Sequence, residues 1–415
     1  MTNRKEFLAT MSALAMGTLV SAKPNKVEVD TESGSIDKPV TWESIPSLFS
    51  VKNNVTFLNN GTMGLCPIPV LDAISESVRN SAENAKYGGG EKSLKKKLAA
   101  FIGATEEEIA LTHNVTEGNN IACWGLPLKK GDEVLITDQE HVGNALTWLN
   151  RAKLDGIVIK RVDILCSAEE LLQRINKAIG PRTRAITIPH IPCTTGQVNP
   201  IKEICSLARS KGIYSVIDGA HGPGMLNIDV KTMGCDVYIS CGHKWMLGPA
   251  GTGFFYIKKE NLDVFQTKFV GAYSDTGWDI DKGISGYNET AHRYYYGTQS
   301  AALYDGLSAA IDFQNALGKD KIENHANSLS SYLKDGLLDL KGKVKISTPL
   351  DMHKGGLIGF KFKEKDNIKF VNTLRKENTI LRYVAESGLN SIRVSTHLYN
   401  TKDQVDALLT KIRDY

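Results

Sequence analysis

The sequence has no CxxC pair, no His/Cys spacing of a zinc site and no marked excess of either charge. Its seven cysteines (Cys66, Cys123, Cys166, Cys193, Cys205, Cys235 and Cys241) form an odd, scattered set. That argues against a disulfide framework and for buried thiols acting as small hydrophobes, and no metal site is expected. A net charge of +4 over 415 residues disfavours nucleic acid as a partner. The one like-charge block, Lys95-Lys96-Lys97, sits in a helical pattern and reads as a solvated face. Beyond the N-terminal segment no apolar run reaches membrane-spanning length, and neither an internal repeat nor a low-complexity stretch is present. What remains, 41% hydrophobic and 23% charged residues, is the composition of a soluble globular enzyme with room for two to three domains.

The N-terminus stands apart. Arg4 and Lys5 precede a 14-residue apolar, small-residue-rich run, Phe7 to Val20, and Val20-Ser21-Ala22 offers a cleavage site before Lys23. This three-part pattern predicts a secretory signal over residues 1–22 and a periplasmic or otherwise exported protein. A frayed N-terminal helix on a cytoplasmic protein is the alternative. Asn3-Arg4-Lys5-Glu6-Phe7-Leu8 resembles a twin-arginine signal, with Lys5 where the second arginine stands. That route carries proteins already folded around a cofactor. No cysteine follows the apolar run, so no membrane anchor is expected after cleavage. Residues 23–41 are polar, with Gly, Ser and Pro, and read as a linker.

From Trp42 onward the chain is continuously patterned. Strand candidates at Glu108–Thr112, Glu133–Thr137, Ile157–Lys160, Ala185–Ile188, Ile213–Asp218, Val237–Ser240 and Gly253–Lys258 alternate with helical stretches such as Ala168–Ile179 and Ile201–Lys211. Such alternation predicts a mainly parallel sheet with helices on both faces, in a large domain over residues 42–299. The last run follows a Gly/Pro-rich loop and suits an antiparallel member. After Thr298 two long helical stretches, Ser300–Leu317 and Lys321–Leu338, lead to strands near Lys343–Thr348, Gly356–Phe362, Ile380–Val384 and Ser391–Ser395 and a final helix near Thr401–Arg413. These predict a smaller α+β domain over 300–415.

Ligands of open α/β sheets bind beyond the carboxyl ends of the strands. Asp218 closes one apolar run, and Lys244 follows the next within Ser240-Cys241-Gly242-His243-Lys244-Trp245. Both should face one crevice. Pyridoxal 5′-phosphate (PLP) chemistry needs such a pair: a lysine amine that forms an imine with the cofactor aldehyde, and a carboxylate that keeps the pyridine nitrogen protonated. Taken alone, a helix-capping Asp and a solvated Lys would explain the same two residues.

Asp218-Gly219-Ala220-His221-Gly222 and Gly242-His243-Lys244-Trp245 resemble the two signature blocks of class V aminotransferase-fold PLP enzymes, a group that includes cysteine desulfurases and isopenicillin N epimerase. The resemblance runs over about residues 55–410, with its blocks in family order. It implies the PLP-dependent transferase fold type I (aspartate aminotransferase-like): a large domain with a seven-stranded, mainly parallel sheet and a small C-terminal α+β domain. It also implies PLP as cofactor. Asn59-Asn60-Gly61 is similar to the entry block of the epimerase-like branch, with Asn60 at the substrate. In Asn114-Val115-Thr116-Glu117-Gly118 the resemblance makes Val115 and Thr116 phosphate ligands, the alternative for Thr116 being a simple helix cap. His141, in Glu140-His141, would stack on the pyridine ring. Cys193, in the loop His190–Gln197, would approach the phenolic oxygen, although desulfurases commonly carry Asn there. His221, Ser240, Cys241 and His243 complete the expected cofactor set; desulfurases usually have Ser where Cys241 stands. Gly297-Thr298-Gln299 resembles a block donated to the phosphate across a homodimer interface. Ser391-Ile392-Arg393-Val394-Ser395 is similar to the family's carboxylate clamp.

The resemblance therefore implies a PLP enzyme acting at the α-carbon of an amino acid or a compound derived from one. Lys244, His141 and Asp218 would be its catalytic residues and a small amino compound its substrate. Racemisation, elimination and transamination share their first step. Cysteine desulfurases carry a sulfur-accepting cysteine shortly before the carboxylate-binding Arg, whereas residues 242–415 contain none, which disfavours persulfide-type desulfuration. The epimerase-like branch matches best. A periplasmic aminotransferase or C–S lyase acting on a secreted or peptidyl amino compound is the alternative, and a PLP-binding protein without turnover a further one.

Overall fold

The computed structural model describes residues 40–52, 54–85 and 88–415. The expected signal segment and almost all of the expected linker lie outside them. The strands, in chain order, are β1 (Thr56–Phe57), β2 (Ile109–Thr112), β3 (Glu133–Thr137), β4 (Val158–Val162), β5 (Thr183–Pro189), β6 (Tyr214–Asp218), β7 (Val237–Cys241) and β8 (Gly253–Ile257). They are followed by β9 (Asp275–Asp279), β10 (Ile284–Tyr287), β11 (Val344–Ile346), β12 (Leu357–Phe362), β13 (Thr379–Ile380), β14 (Arg382–Val384) and β15 (Ser391–Ser395).

Seven of them form one sheet in the order β2-β8-β7-β6-β5-β3-β4. Pairing is parallel from β4 through β3, β5 and β6 to β7, and β8 is antiparallel to both β7 and β2. The antiparallel placing of the Gly253 strand is thus as expected, since the connection over residues 242–252 carries no crossover helix. Two reversals make β2 run in the same sense as β7. The carboxyl ends of β2, β3, β5, β6 and β7 therefore open on one edge of the sheet, where ligands of such sheets bind.

Local chemistry explains the elements. β7 reads Val-Tyr-Ile-Ser-Cys and is buried throughout, as a central strand covered on both faces must be. β4, at the sheet edge, is largely exposed and carries Lys160 and Arg161, charges that discourage further strand pairing. The helix Ala168–Ala178 starts where Ser167 accepts from the Glu170 N–H at 3.2 Å, has Glu169 and Glu170 in its first turn, and buries Leu171 and Ile175 one turn apart. The face expected to be solvated at Lys95-Lys96-Lys97 is so in part. Only Lys96 is exposed; Lys95 lies 3.3 Å from His292 Nδ1, and Lys97 pairs with Asp312 at 2.5 Å.

The C-terminal strands form a separate antiparallel sheet, β11-β12-β15-β14. Helices Lys319–Asp339, Asn367–Lys376 and Lys402–Asp414 pack on it around Phe360, Phe370, Ile392 and Leu408. Leu58, from the start of the chain, is buried in this same core, because β1 pairs in parallel with β13 and Asn59 bridges to Ser395. The helix Ala301–Leu317 sends Tyr304, Leu307 and Ile311 into the core of the large sheet. No described helix is long and apolar enough to cross a membrane.

Candidate active site

Asp218 ends β6 and Lys244 follows β7, its immediate parallel neighbour, with Asp218 opposite Ile239. Both belong to the edge just described. Asp218 is 4% exposed. Its Oδ1 accepts from the Ala220 N–H at 3.0 Å and its Oδ2 from Asn119 Nδ2 at 3.3 Å. No lysine, arginine or histidine among the described residues forms an ion pair with it, which leaves a buried carboxylate in want of a positive partner.

Lys244 Nζ lies 3.2 Å from His221 Nε2, and His221 Nδ1 accepts from the Trp245 indole N–H at 3.0 Å. Burial, and then Lys244, hold His221 well below the usual histidine range. His141 caps the helix Val142–Asp155, its Nδ1 accepting from the Gly143 N–H at 3.1 Å. Burial and Lys244 lower its pKa as well. His243 is pushed down to about 4 by burial, and its buried Nδ1 has no hydrogen-bond partner.

The helix Val115–Gly125 follows β2 and reaches the same edge. Asn114, not Thr116, caps it, its Oδ1 accepting from the Glu117 N–H at 3.0 Å. The capping alternative for Thr116 is thereby overturned: Thr116 sits in the first turn, and the N–H groups of Val115 and Thr116 point out of the helix, the arrangement that binds anions. Gly118 lets this helix lie against β7, since a Cβ there would run into Ile239. Ser240 and Cys241 end β7. The Ser240 hydroxyl donates to the Gly219 carbonyl at 2.9 Å, and the Cys241 thiol, pushed up to about 11 by burial, faces the Ala220 carbonyl. Thr298 is exposed in the irregular segment before the helix Ala301–Leu317.

Arg393, on β15, is 1% exposed. Its Nη1 donates to the Cys193 carbonyl at 2.9 Å, and its Nη2 to Asn59 Oδ1 at 3.1 Å and Thr62 Oγ1 at 2.7 Å. Its Nε is buried without a partner, as is the nearby Ser395 hydroxyl. Gly61 covers the guanidinium closely: a Cβ there would lie 3.2 Å from Arg393 Cζ and 2.9 Å from Ser395 Oγ. Burial, reinforced by the Arg382 guanidinium, pushes the Arg393 pKa down to about 9. No carboxylate among the described residues pairs with Arg393. Asn60, fully buried, accepts from the Tyr399 hydroxyl at 2.7 Å and keeps its Nδ2 unpartnered. Cys193 thus enters through its backbone, as a support for Arg393.

The residues fit PLP. A buried unpaired carboxylate suits a protonated ring nitrogen, a lysine amine faces the same crevice, an open helix N-terminus suits a phosphate, and His243 offers an unused buried nitrogen. Sequence reasoning missed Asn119, one turn beyond Val115 and so aimed at Asp218. It also missed Trp245 as a partner of His221, and Asn59 and Thr62 as partners of Arg393. These are contacts between distant segments that no local pattern encodes.

A family model for aminotransferase class-V matches residues 57–408. The chain belongs to the class-V aminotransferase family. A probable cysteine desulfurase of Halalkalibacterium halodurans is 29% identical over 394 residues, covering 87% of this chain and 94% of that one. Isopenicillin N epimerase of Amycolatopsis lactamdurans is 27% identical over 390 residues, covering 90% and 98%. Among solved structures, the cystine C–S lyase C-DES in complex with its product cysteine persulfide superposes with a TM-score of 0.82 at 28% identity, covering 88% of this chain and 98% of that one. A lysine-to-alanine mutant of C-DES with glycine covalently linked to its PLP cofactor has the same TM-score at 27% identity, covering 90% and 99%. The fold is that of type I PLP-dependent enzymes, and PLP is the cofactor of this class-V chain.

Proposed function

We propose that this class-V enzyme moves a proton at the α-carbon of an amino acid, or of a compound derived from one, with Lys244 as the base and Arg393 as the grip on the substrate carboxylate. The observation that carries this reading is the buried Arg393 guanidinium, which has hydrogen-bonded supports but no anionic partner among the described residues. PLP, when bound, supplies the electron sink for the α-carbon. In this reading Asp218 holds the positive charge of the ring nitrogen, Val115, Thr116 and His243 hold the phosphate, and Ser240 and Cys241 line its pocket. His141 covers the ring, His221 meets Lys244, and Asn60 and Arg393 orient the substrate.

Among the outcomes of α-proton removal we favour epimerisation, supported by likeness to an isopenicillin N epimerase. The second reading is C–S lysis or transamination of a secreted or peptidyl amino compound, and likeness to a cystine C–S lyase supports its C–S lysis form. Persulfide-type desulfuration is disfavoured because no cysteine follows Cys241 in the chain. The test is to incubate the holoenzyme with candidate amino compounds in heavy water and follow the products by mass spectrometry. Deuterium at the α-carbon with loss of optical rotation supports epimerisation. Pyruvate with ammonia points to the lyase, and an oxo acid to the transaminase. Absence of any α-exchange across the screen would leave a PLP-binding protein without turnover.

Two further proposals concern context. A homodimer with Thr298 reaching the partner's phosphate site is supported by the exposed Trp278, Ile280 and Ile284 on the β9–β10 hairpin. Light scattering that gave a monomeric mass would refute it. Export by way of the N-terminal signal predicts a mature N-terminus near Lys23 in a periplasmic fraction, and an intact Met1 in the cytosol would contradict it.

A further inference from the structure

Trp245 directly follows Lys244 in the chain. It is fully buried, packed among Ile191, Met225 and Leu357, and its carbonyl accepts from Gln314 Nε2 at 2.7 Å and is met by His397 Nε2 at 2.9 Å. An indole N–H can only donate, and a buried one must find an acceptor. That acceptor is His221 Nδ1, 3.0 Å away. A ring nitrogen that accepts carries no proton, so the proton of the neutral ring is on Nε2, the atom 3.2 Å from Lys244 Nζ. Turning the ring over would put a carbon against the indole N–H and strand a buried donor.

We propose that Trp245 is a positioning residue: through its indole N–H it fixes His221 as the neutral Nε2–H tautomer and so presents the Lys244 nitrogen with a hydrogen-bond donor. An imidazolium at His221 is opposed twice. Its Nδ1–H would point at the indole N–H, and the groups acting on it from neighbouring elements, Lys244, Arg393, His141 and Arg382, all lower its pKa. This deepens the reading of Lys244 as the reactive amine and rests on it, but it is tested without cofactor or substrate, so the two can fail separately.

The experiment is long-range proton–nitrogen NMR of histidine-labelled, PLP-free protein near neutral pH, with His221→Gln to assign the His221 signals. The expected result is His221 as Nε2–H only. The Nδ1–H tautomer or an imidazolium in the unmodified protein would overturn the proposal. Trp245→Phe should introduce the Nδ1–H tautomer or the imidazolium. Because that change also shrinks the side chain, benzothienylalanine at 245, which keeps the shape and lacks the N–H, serves as the second variant. Persistence of pure Nε2–H His221 in either variant, whatever its melting temperature, would also overturn it. A merely structural tryptophan would move the melting temperature and leave the tautomer alone.

Discussion

Asn119 Nδ2 donates to Asp218 Oδ2 across 3.3 Å, tying the helix that follows β2 to the carboxyl end of β6. The contact orients a carboxylate that has no cationic partner of its own among the described residues. Asp218→Asn removes its charge and keeps its shape. Taking one partner from a buried charge pair costs about 3–5 kcal/mol, so turnover should fall by at least two orders of magnitude while the fold survives. Steady-state rates alongside circular dichroism check this, and a variant within threefold of the parent rate would remove Asp218 from the site.

Arg393→Lys should raise KM for substrates with a free carboxylate by about tenfold to a hundredfold, because a lysine cannot reproduce the forked donor and the bonds to charged groups are worth about 1.5–3 kcal/mol. The same substitution should leave the KM of a carboxamide analogue nearly unchanged. An equal effect on both compounds would mean that Arg393 only supports the Cys193 loop.

Asn114→Ala tests how the phosphate site is built. Loss of a helix N-cap costs about 1 kcal/mol. The helix Val115–Gly125 carries the first-turn N–H groups assigned to the phosphate, so PLP affinity should fall together with stability. Titration of the apoprotein with PLP, paired with urea unfolding, reads both. A stability loss with no change in PLP affinity would place the phosphate elsewhere.

Four histidines and one carboxyl contribute to the pH dependence of stability in opposite senses. Burial depresses His190, His243, His353 and His397 to about 4 from an ordinary value of 6.5. Between those values the unfolded chain binds the extra protons, so their contribution is complete above pH 6.5 and is lost as pH falls through 4. His397→Gln should flatten this limb by about 1.4 kcal/mol per pH unit. Glu140 acts in the opposite sense. Burial, aided by Asp218, raises it to about 8, so its contribution is complete below pH 4.5 and is lost as pH rises through 8. Above pH 6.5 the four histidines are already neutral, so Glu140→Gln should abolish a decline seen there. Urea titrations across pH 4–9 decide both points, and unchanged slopes in both variants would contradict the burial argument.

Much of the fold was legible because its periodicity is local. The alternation of short apolar runs with helical stretches locates all seven strands of the large sheet, and the short, largely apolar run Val237–Cys241 is buried along its whole length. The β9–β10 hairpin was not legible: Asp275–Tyr287 is polar, Gly-containing and largely exposed, with no core face to impose a pattern. The pairing of β1 with β13 joins two-residue strands more than 300 positions apart, which no sequence window spans. Asp218, Lys244 and Arg393, the residues proposed for the site, were singled out from chemistry and resemblance. Their supports (Asn119, Trp245, Asn59 and Thr62) act through tertiary contacts and emerge only from the geometry. Lys95 and Lys97 show the same limit, since Asp312 and His292 reach them from distant segments.

The account turns on Lys244 as the residue that holds the cofactor. The most direct measurement is borohydride reduction of the PLP-loaded protein followed by peptide mapping. The account predicts one pyridoxyl group, on Lys244, and none on protein carrying Lys244→Ala. A label on another lysine, or PLP retained by the intact protein without any reducible bond to it, would contradict it.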